Sequence, residues 1–239
     1  MTRRSLRVDM HLHTHHSFDC LSRPDAILKA AEERGLDRLI VTDHNQIAGA
    51  LELHSRDPAR VIIGEEVKTG EGFDVIGIFM KELIPKGTPA RETCARIRAQ
   101  GGVVYLPHPF DGSRSGGPRL LAAIADLVDV VEVHNARCWP RSLNKRALAW
   151  AEANGKLMGA GSDAHTVAEL GRGYVEVPWF EPDRDSFLHA LGEGAVAGQV
   201  STSPAYRLAS TWAKLHKRLR RAPWPGSPGD STNSARRLR

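Results

Sequence analysis

Strand-like apolar runs alternate with helical segments along most of the chain, and this alternation limits the fold more than any other feature of the sequence. The runs predicted as strands cover residues 7–13, 37–44, 61–67, 74–80, 102–108, 128–134, 156–163 and 174–179. Helical segments are predicted between them at 23–35, 46–55, 89–102, 118–127, 141–155 and 183–194. Such alternation is typical of βα units around a parallel sheet. Because 239 residues suit one barrel-like α/β domain, we predict a single barrel over residues 1–202.

Composition narrows the class of protein. Hydrophobic residues make up 41% and charged residues 26%, which is ordinary for an enzyme with a buried core. The sequence has neither an apolar run of membrane-spanning length nor a signal-like start, so we expect a cytoplasmic protein without membrane contact. Cys20, Cys94 and Cys138 are odd in number and lack CxxC spacing, which indicates neither a disulfide framework nor a zinc ribbon.

The basic charge is concentrated at the carboxyl end. Residues 203–239 contain nine Lys or Arg and one acid, which gives +8, whereas residues 1–202 carry 24 basic and 27 acidic residues, about −3. Residues 206–221 have helical spacing, and residues 222–239 have the Pro, Gly and Ser content of a disordered end. A solvated surface extension is the simpler interpretation, and contact with nucleic acid is the alternative. Four apolar residues recur at helical steps and could pack on the barrel or on a second subunit: Leu208, Trp212, Leu215 and Leu219.

Polar residues collect at one end of the predicted strands. Those at or near a carboxyl end are His13, His44, Glu66, His108, His134 and Asp163. In parallel β/α folds these ends meet on one rim, where active sites are built. Each residue alone has an ordinary structural explanation, such as a helix cap or a rim ion pair. Together, and with no cysteine among them, they predict a mixed nitrogen and oxygen site suited to Zn²⁺, Mn²⁺ or Fe²⁺.

Spacing within the strands selects among the candidates. Asp9, His11 and His13 occupy every second position, so a strand would direct them to one face. By the same alternation Glu66 and Glu65 face opposite ways, and Glu66 is the predicted ligand. Later in the chain His108 lies between two prolines that stiffen the backbone, and Asp163 and His165 repeat the two-residue spacing.

Five segments resemble the motifs of the polymerase and histidinol phosphatase (PHP) domain: DMHLHTHHSFD, VTDHN, GEEV, PHPF and GSDAH, in this order over residues 9–165. The stretch from GEEVKTGEGFDVIGIFM to PHPFD is similar to the small stand-alone branch of that family rather than to a polymerase accessory domain. The resemblance implies a distorted (β/α)7 barrel, similar to a TIM barrel, with a trinuclear cluster of divalent ions. It also implies phosphomonoesterase or phosphodiesterase activity.

The resemblance implies a ligand set position by position. It gives His11, His13, Glu66 and Asp163 to a first ion, Glu66 and His108 to a second, and Asp19, His44 and His165 to a third. The sequence departs from the family pattern twice. At the end of the fifth barrel strand the chain reads EVHNAR, where His134 could supply a ligand but the register favours Asn135. After the glutamate motif Asp74 stands where some relatives have a histidine.

The expected reaction is hydrolysis of a phosphate ester by a hydroxide activated between two or three divalent ions, Zn, Mn or Fe. The residues predicted to act in catalysis are Glu66, Asp163, His165, Arg114 and Arg172. The two arginines, with Arg137, follow ligand-bearing strand ends, where a guanidinium could bind the phosphate. Asp9, Asp43 and Asn45 are expected to orient the ligands.

Three functions fit this sequence. The first is a hydrolase of a small phosphorylated metabolite or nucleotide. The second is an exonuclease that trims RNA or DNA ends and holds them through the basic tail, which a steep salt dependence would indicate. The third is a metal-binding regulatory module without turnover, against which the intact ligand set argues.

Overall fold

The structure is a computed structural model that describes residues 5–112, 117–199 and 204–221. Its strands are β1 (Leu6–Leu12), β2 (Arg38–Val41), β3 (Val61–Lys68), β4 (Asp74–Ile78), β5 (Val103–Leu106), β6 (Val130–Asn135), β7 (Leu157–Gly161), β8 (Gly173–Val177) and β9 (Ala195–Gly198). Its α-helices are α1 (Pro24–Glu33), α2 (Ala48–Arg56), α3 (Ala90–Ala99), α4 (Gly117–Ile124), α5 (Ser142–Ala153), α6 (Arg184–Gly192) and α7 (Pro204–Arg221). A 3₁₀ helix spans Val167–Glu169.

The strands form one sheet in the order β7-β6-β5-β4-β3-β2-β1-β8-β9. The sheet curves until β7 approaches β1, and Leu12 and Ala164 form an isolated parallel bridge there. Backbone hydrogen bonds at this seam run from the amide of Asp163 to the carbonyl of His11 (2.7 Å) and from the amide of His13 to the carbonyl of Ala164 (2.9 Å). The result is the predicted α/β fold, a distorted and nearly closed barrel.

The expectation of a parallel sheet is wrong at several pairings. β4 runs antiparallel to β3 and β5 because only residues 69–73 join it to β3, and a parallel crossover needs a dozen or more residues. β8 runs antiparallel to both β1 and β9. All eight predicted strands are present, and the four-residue strand β9 is an addition.

Apolar side chains fill the barrel below the rim. A continuous buried cluster takes residues from β1 to β8: Val8, Met10, Ile40, Ile62, Ile76, Tyr105, Val130, Ala160 and Val175. A second cluster packs α3 and α4 outside the sheet, and a third packs α1 and α2. Burying each large apolar side chain contributes about 1.5–3 kcal/mol. Because the interior is filled, polar side chains on the strands converge at the rim.

The amino-terminal part of the predicted basic extension is helix α7, and it lies along the barrel rim. Ser210 and Ala213 are buried, whereas the apolar stripe of Leu208, Trp212, Leu215 and Leu219 is 50–68% exposed. The stripe therefore does not pack on the barrel, which was one of the two expected arrangements. The predicted disordered segment, residues 222–239, lies outside the described residues. No helix in the described ranges is long and apolar enough to span a membrane.

Candidate metal centre

Left-handed backbone conformations occur at non-glycine residues in four turns that lead out of the strands, and three of these turns carry residues of the site. The φ angles are 54° at Asn45, 29° at His108 and 52° at Asp163. Such positions cost about 1–3 kcal/mol each and persist only where surrounding structure holds them. Here the amides of these residues donate to the carbonyl of Glu66 (2.9 Å), to Oε2 of Glu132 (2.7 Å) and to the carbonyl of His11 (2.7 Å), respectively. The rim backbone is therefore fixed by the residues of the site itself.

Glu66 is the centre of the site. Its carboxylate is 1% exposed and lies among four imidazoles. Oε1 is 3.1 Å from Nε2 of His108, and Oε2 is 2.9 Å from Nδ1 of His44. Oε2 is also 3.5 Å from Nε2 of His13 and 3.6 Å from Nε2 of His11. One carboxylate thus reaches histidines from the ends of β1, β2 and β5.

The ligand-type atoms form three overlapping groups, each with its atoms within 4.8 Å of one another. The groups are His11, His13 and Asp163; His11, Glu66 and His108; and His13, His44 and His165. Asp19 joins the third group, since its Oδ2 lies 3.3 Å from Nε2 of His165 and 3.6 Å from Nε2 of His44. The structure therefore brings together the predicted ligands in one cluster, and Asn135 lies beside it with its NH₂ group, rather than its oxygen, toward Asp163.

The electrostatics favour ionised carboxylates. Burial raises the pKa of Glu66, but attraction to His44 and His11 outweighs it and holds the pKa well below its ordinary value. The same balance, with His165 and His44 as the positive partners, lowers the pKa of Asp19. Burial, together with His165 and His44, lowers the pKa of His13 to about 4. Nearby carboxylates outweigh burial and raise the pKa of His44 to about 10 and the pKa of His11 above its ordinary value, so these two rings carry protons that a bound cation would displace.

Two observations test whether divalent ions fit these residues. Oδ1 of Asp19 is buried and has no hydrogen-bond partner among the described residues. Nε2 of His11 and Nε2 of His13 lie 3.2 Å apart, where one ring donates to the other and where the two lone pairs of the neutral rings could instead share a cation. Imidazole and carboxylate donors together suit Zn²⁺, Mn²⁺ and Fe²⁺. The residues therefore fit divalent ions.

Glu132 is part of the site and was missed by the sequence analysis. It is fully buried on β6, and its Oε1 lies 3.0 Å from Nδ1 of His11. Its Oε2 accepts hydrogen bonds from the backbone amide of His108 (2.7 Å) and from Nδ2 of Asn135 (2.9 Å). A carboxylate behind a ligating histidine fixes the tautomer and orients the ring. The available signal was a lone glutamate inside the apolar run VDVVEVH.

Asp43 organises the loop after β1. Its Oδ1 accepts from the amide of Thr14 (2.7 Å) and from Oγ of Ser17 (2.6 Å), and its Oδ2 accepts from Oγ1 of Thr14 (2.6 Å). Oγ of Ser17 also lies 3.1 Å from Nδ1 of His13. Asp43 therefore acts on His13 through Ser17, a residue that the sequence analysis did not single out.

Asp9 and Asn45 support the site through backbone atoms. The register of β1 shifts between Asp9 and Leu12, and Asp9 accepts from the amides of Ser162 and Gly171, both at 2.9 Å. Asp9 thus joins β1 to the segments around β7 and β8 and does not share the ligand face with His11. Asn45 accepts from the amide of Lys68 (2.8 Å) and so fixes the end of β3.

The alternatives at the end of β6 are separated by the strand geometry. Asn135 is buried in the site, and its Nδ2 donates to Glu132 (2.9 Å) and to Oδ2 of Asp163 (3.1 Å), while its Oδ1 accepts from the amide of Arg137 (2.9 Å). This network directs the NH₂ group toward the carboxylates and the oxygen away from them. The neighbouring residue, His134, lies on the opposite face near Gly198. His134 therefore lies near the carboxyl end of β6, as the sequence predicts, but its ring faces away from the site.

Two further acids are placed by β3 and β4. Glu65 faces away from Glu66, and its Oε2 accepts from the amide of Ile84 (2.9 Å). Burial raises the pKa of Glu65 to about 7. Asp74 pairs with Nζ of Lys68 at 2.7 Å. Burial and the nearby charge of Glu66 raise the pKa of Asp74, so this carboxyl lies within electrostatic range of the site.

The predicted phosphate-binding arginines engage other parts of the protein. Nε of Arg137 is 3.2 Å from Oε1 of Glu169, and its Nη2 donates to Oγ of Ser210 on α7 (2.9 Å). Nη2 of Arg172 donates to the hydroxyl of Tyr206, also on α7 (2.9 Å). Both guanidinium groups therefore hold the carboxy-terminal helix. Arg114 lies outside the described residues.

Comparisons with family profiles and sequences identify relatives. Residues 9–100 match the PHP domain, and residues 141–196 match a region described as PHP-associated. An uncharacterised protein of Methanocaldococcus jannaschii is 37% identical over 146 residues, which cover 55% of this chain and 82% of that protein. A second uncharacterised protein of the same organism is 35% identical over 179 residues, which cover 72% of this chain and 70% of that protein.

Solved structures share the fold. A two-domain protein from Bacteroides vulgatus, described as containing a predicted PHP-like metal-dependent phosphoesterase, aligns with a TM-score of 0.69 at 18% identity, over 82% of this chain and 66% of that one. A lesion-specific endonuclease from Pyrococcus furiosus aligns with a TM-score of 0.59 at 16% identity, over 80% of this chain and 57% of that one. At these identities the likeness concerns the fold, and this chain spans about two thirds or less of each protein.

Proposed function

The chain belongs to the PHP domain family of metal-dependent phosphoesterases, and from that membership we propose that it hydrolyses the phosphate ester of a small phosphorylated metabolite or nucleotide. The observation that supports this proposal most strongly is the convergence of three histidine and carboxylate groups on Glu66. We propose that they hold two or three divalent ions, with Zn, Mn and Fe as the candidates.

The proposed ligands follow the three groups. His11, His13 and Asp163 serve one ion with Glu66, and Glu66 and His108 serve a second. His44, His165 and Asp19 serve the third. When bound, the ions neutralise phosphoryl charge and lower the pKa of water to about 7. The chain supplies the arrangement: Glu132 and Ser17 hold the rings of His11 and His13, and Glu169 accepts from the amide of His165 (3.1 Å).

A nuclease activity is the second candidate, because the basic helix α7 lies beside the metal centre and because the fold is shared with a lesion-specific endonuclease. The two candidates differ in how binding responds to salt. One phosphate contact gives a shallow slope, whereas each additional phosphate bound along a single strand adds about 0.7 to the slope. A small-molecule phosphoesterase should therefore show a slope of about 1 or less.

The test is a hydrolysis screen of phosphomonoesters, nucleoside bisphosphates and short oligonucleotides with Mn²⁺, together with elemental analysis of the purified protein. We expect turnover of a small ester and two or three ions per chain. Turnover confined to oligonucleotides would favour the nuclease. Bound metal without turnover of any substrate would favour a regulatory module.

Two neighbouring glutamates on β3 provide a variant and its matched control for this screen. Glu66→Gln should reduce turnover by orders of magnitude, because its carboxylate contacts all three groups. Glu65→Gln makes the same chemical change on the opposite face of β3 and should leave turnover within about 2-fold of wild type. Equal effects of the two substitutions would contradict the assignment of Glu66 as the shared ligand.

A further inference from the structure

The basic helix α7 places one lysine at the metal centre. Nζ of Lys214 lies 3.7 Å from Oδ2 of Asp19, a carboxylate of the third group. The same ammonium lies 5.2 Å from the centre of the Phe18 ring, which is 47% exposed at the rim. The Lys214 side chain is itself 46% exposed, so its charged end lies at the boundary between the buried centre and solvent.

The helix that carries Lys214 is held at several points. Nζ of Lys217 donates to the backbone carbonyls of His15 and Ser17, in the loop that carries Asp19. Arg137 and Arg172 bind the side of α7 near Ser210 and Tyr206. Because these contacts hold α7 on both sides of Lys214, the fold places this residue beside Asp19.

The balance between the carboxylates of the site and the charge of bound ions indicates that Lys214 is available to bind another anion. The site holds four carboxylates, those of Asp19, Glu66, Asp163 and Glu132, and even two divalent ions would carry four positive charges. With ions bound, the carboxylates are already neutralised, and Asp19 does not need a lysine as its counter-ion. A lysine ammonium is a mobile point charge with three donors, which is the form of cation that binds phosphate oxygens without fixed geometry.

We propose that Lys214 binds the phosphate group of the substrate, so that helix α7 completes the substrate site that the barrel rim begins. This inference rests on the proposed phosphoesterase function and names a residue that binds its substrate. The ammonium of Lys214 would donate to the phosphate oxygens from the solvent side of Asp19. Arg137 and Arg172, which the sequence offered for this task, instead hold the helix in place.

The experiment compares Lys214→Met and Lys214→Arg with Arg218→Met, which removes an exposed charge from the same helix. For each Mn²⁺-loaded protein, KM and kcat are measured with p-nitrophenyl phosphate, the Kd for inorganic phosphate by titration calorimetry, and the metal content by elemental analysis. Lys214→Met should raise KM and the phosphate Kd about 10-fold with kcat and metal content nearly unchanged. Lys214→Arg should recover most of the loss, and Arg218→Met should match wild type.

Unchanged KM and phosphate Kd in Lys214→Met would overturn the proposal, as would a phosphate Kd that is weakened equally in Arg218→Met. Loss of bound metal in Lys214→Met with an unchanged phosphate Kd in the remaining loaded protein would also overturn it, because Lys214 would then only position Asp19. If wild type hydrolyses no ester, the proposed function fails, while the phosphate titration still decides the role of Lys214. Absence of phosphate binding by loaded wild type would reject both.

Discussion

Glu132 joins two proposed ligands through different atoms, the ring of His11 and the backbone amide of His108. Glu132→Gln keeps the shape but removes the charge, and the amide must present its NH₂ group either to the ring of His11 or to the N–H groups of His108 and Asn135. We expect metal affinity to fall about 10- to 100-fold while the fold is retained. Titration with Mn²⁺ measures the metal affinity, and circular dichroism of the same protein checks that the fold is retained. Glu65→Gln, an equally buried change, is the control, and an equal loss of affinity there would contradict this role.

Glu65 makes stability depend on pH. Burial raises its pKa from 4.5 to about 7, so between these values the folded protein holds a proton that the unfolded chain has released. The contribution of this group to stability therefore falls as pH rises from about 4.5 to 7, by at most about 3 kcal/mol. The difference in unfolding free energy between wild type and Glu65→Gln should change across that window in urea titrations. A difference that is constant with pH would refute the shift.

For single residues, the sequence predicted the orientation of a side chain where the alternation of residues along a strand decides it alone. Period-two spacing is enough to direct Glu66 to the rim and Glu65 away from it. The orientation of the Asn135 amide could not be predicted in this way, because it depends on hydrogen bonds with Glu132 and Arg137 and not on strand alternation. His134 illustrates the same limit, since the register of β6 against β7 shifts between Glu132 and His134 and strand position alone does not decide which way the ring faces.

Helix α2 depends on a glycine in its first turn. A Cβ atom at Gly49 would lie 2.0 Å from Oδ2 of Asp43 and 2.3 Å from Oγ1 of Thr14, the pair that organises the loop after β1. Although alanine favours helices by about 1 kcal/mol, Gly49→Ala should destabilise the protein by a net 1–3 kcal/mol or so and reduce turnover. Thermal unfolding and ester hydrolysis measure the two effects.

The control for Gly49 is Gly112→Ala, since a Cβ atom at Gly112 meets nothing within 4 Å. This variant should match wild type in both unfolding temperature and turnover. A Gly49→Ala protein with wild-type stability would show that the contact between Asp43 and α2 can relax without cost.

Truncation separates the two parts of the carboxy-terminal extension. Deletion of residues 222–239 should leave KM and stability unchanged. Deletion of 204–239 should raise KM as Lys214→Met does and lower the unfolding temperature only slightly, because Ala213 is the one buried apolar residue among the described side chains of α7. A flattened salt slope for oligonucleotides after the shorter deletion would instead support a nucleic-acid role for the tail.

Element order followed from the sequence because strand and helix periodicities are local. The direction of strand pairing did not follow from the sequence, since it depends on the length of each connection. The short connection from β3 to β4 forms a hairpin, whereas a parallel crossover was expected there as at the longer connections. The position of α7 was also beyond the sequence. Its apolar stripe suggested the packing face, whereas polar contacts from Lys217, Arg137 and Arg172 attach the helix to the barrel.

Metal binding should stabilise the folded state of the whole molecule. Ions that bind the folded chain alone stabilise it by about 2.7 kcal/mol at a concentration of 100 Kd, which corresponds to roughly 5–10 °C for a domain of this size. Scanning fluorimetry with and without a chelator measures the shift. Glu66→Gln should show a much smaller shift. Equal unfolding temperatures for wild-type protein with metal and with chelator would contradict a resident metal centre.

The nearly closed barrel has its seam between β1 and β7, and the first ligand group spans it: His11 and His13 belong to β1 and the segment after it, and Asp163 follows β7. Few backbone hydrogen bonds close that seam, so it is where local opening should begin. If these three side chains share an ion, as proposed, that ion would have to be released before the strands part. In amide hydrogen exchange, the amides of His13 and Asp163 should therefore exchange faster without metal. The amides between β2 and β3 should keep their rates. A bound ion would then stabilise the closed barrel at its seam.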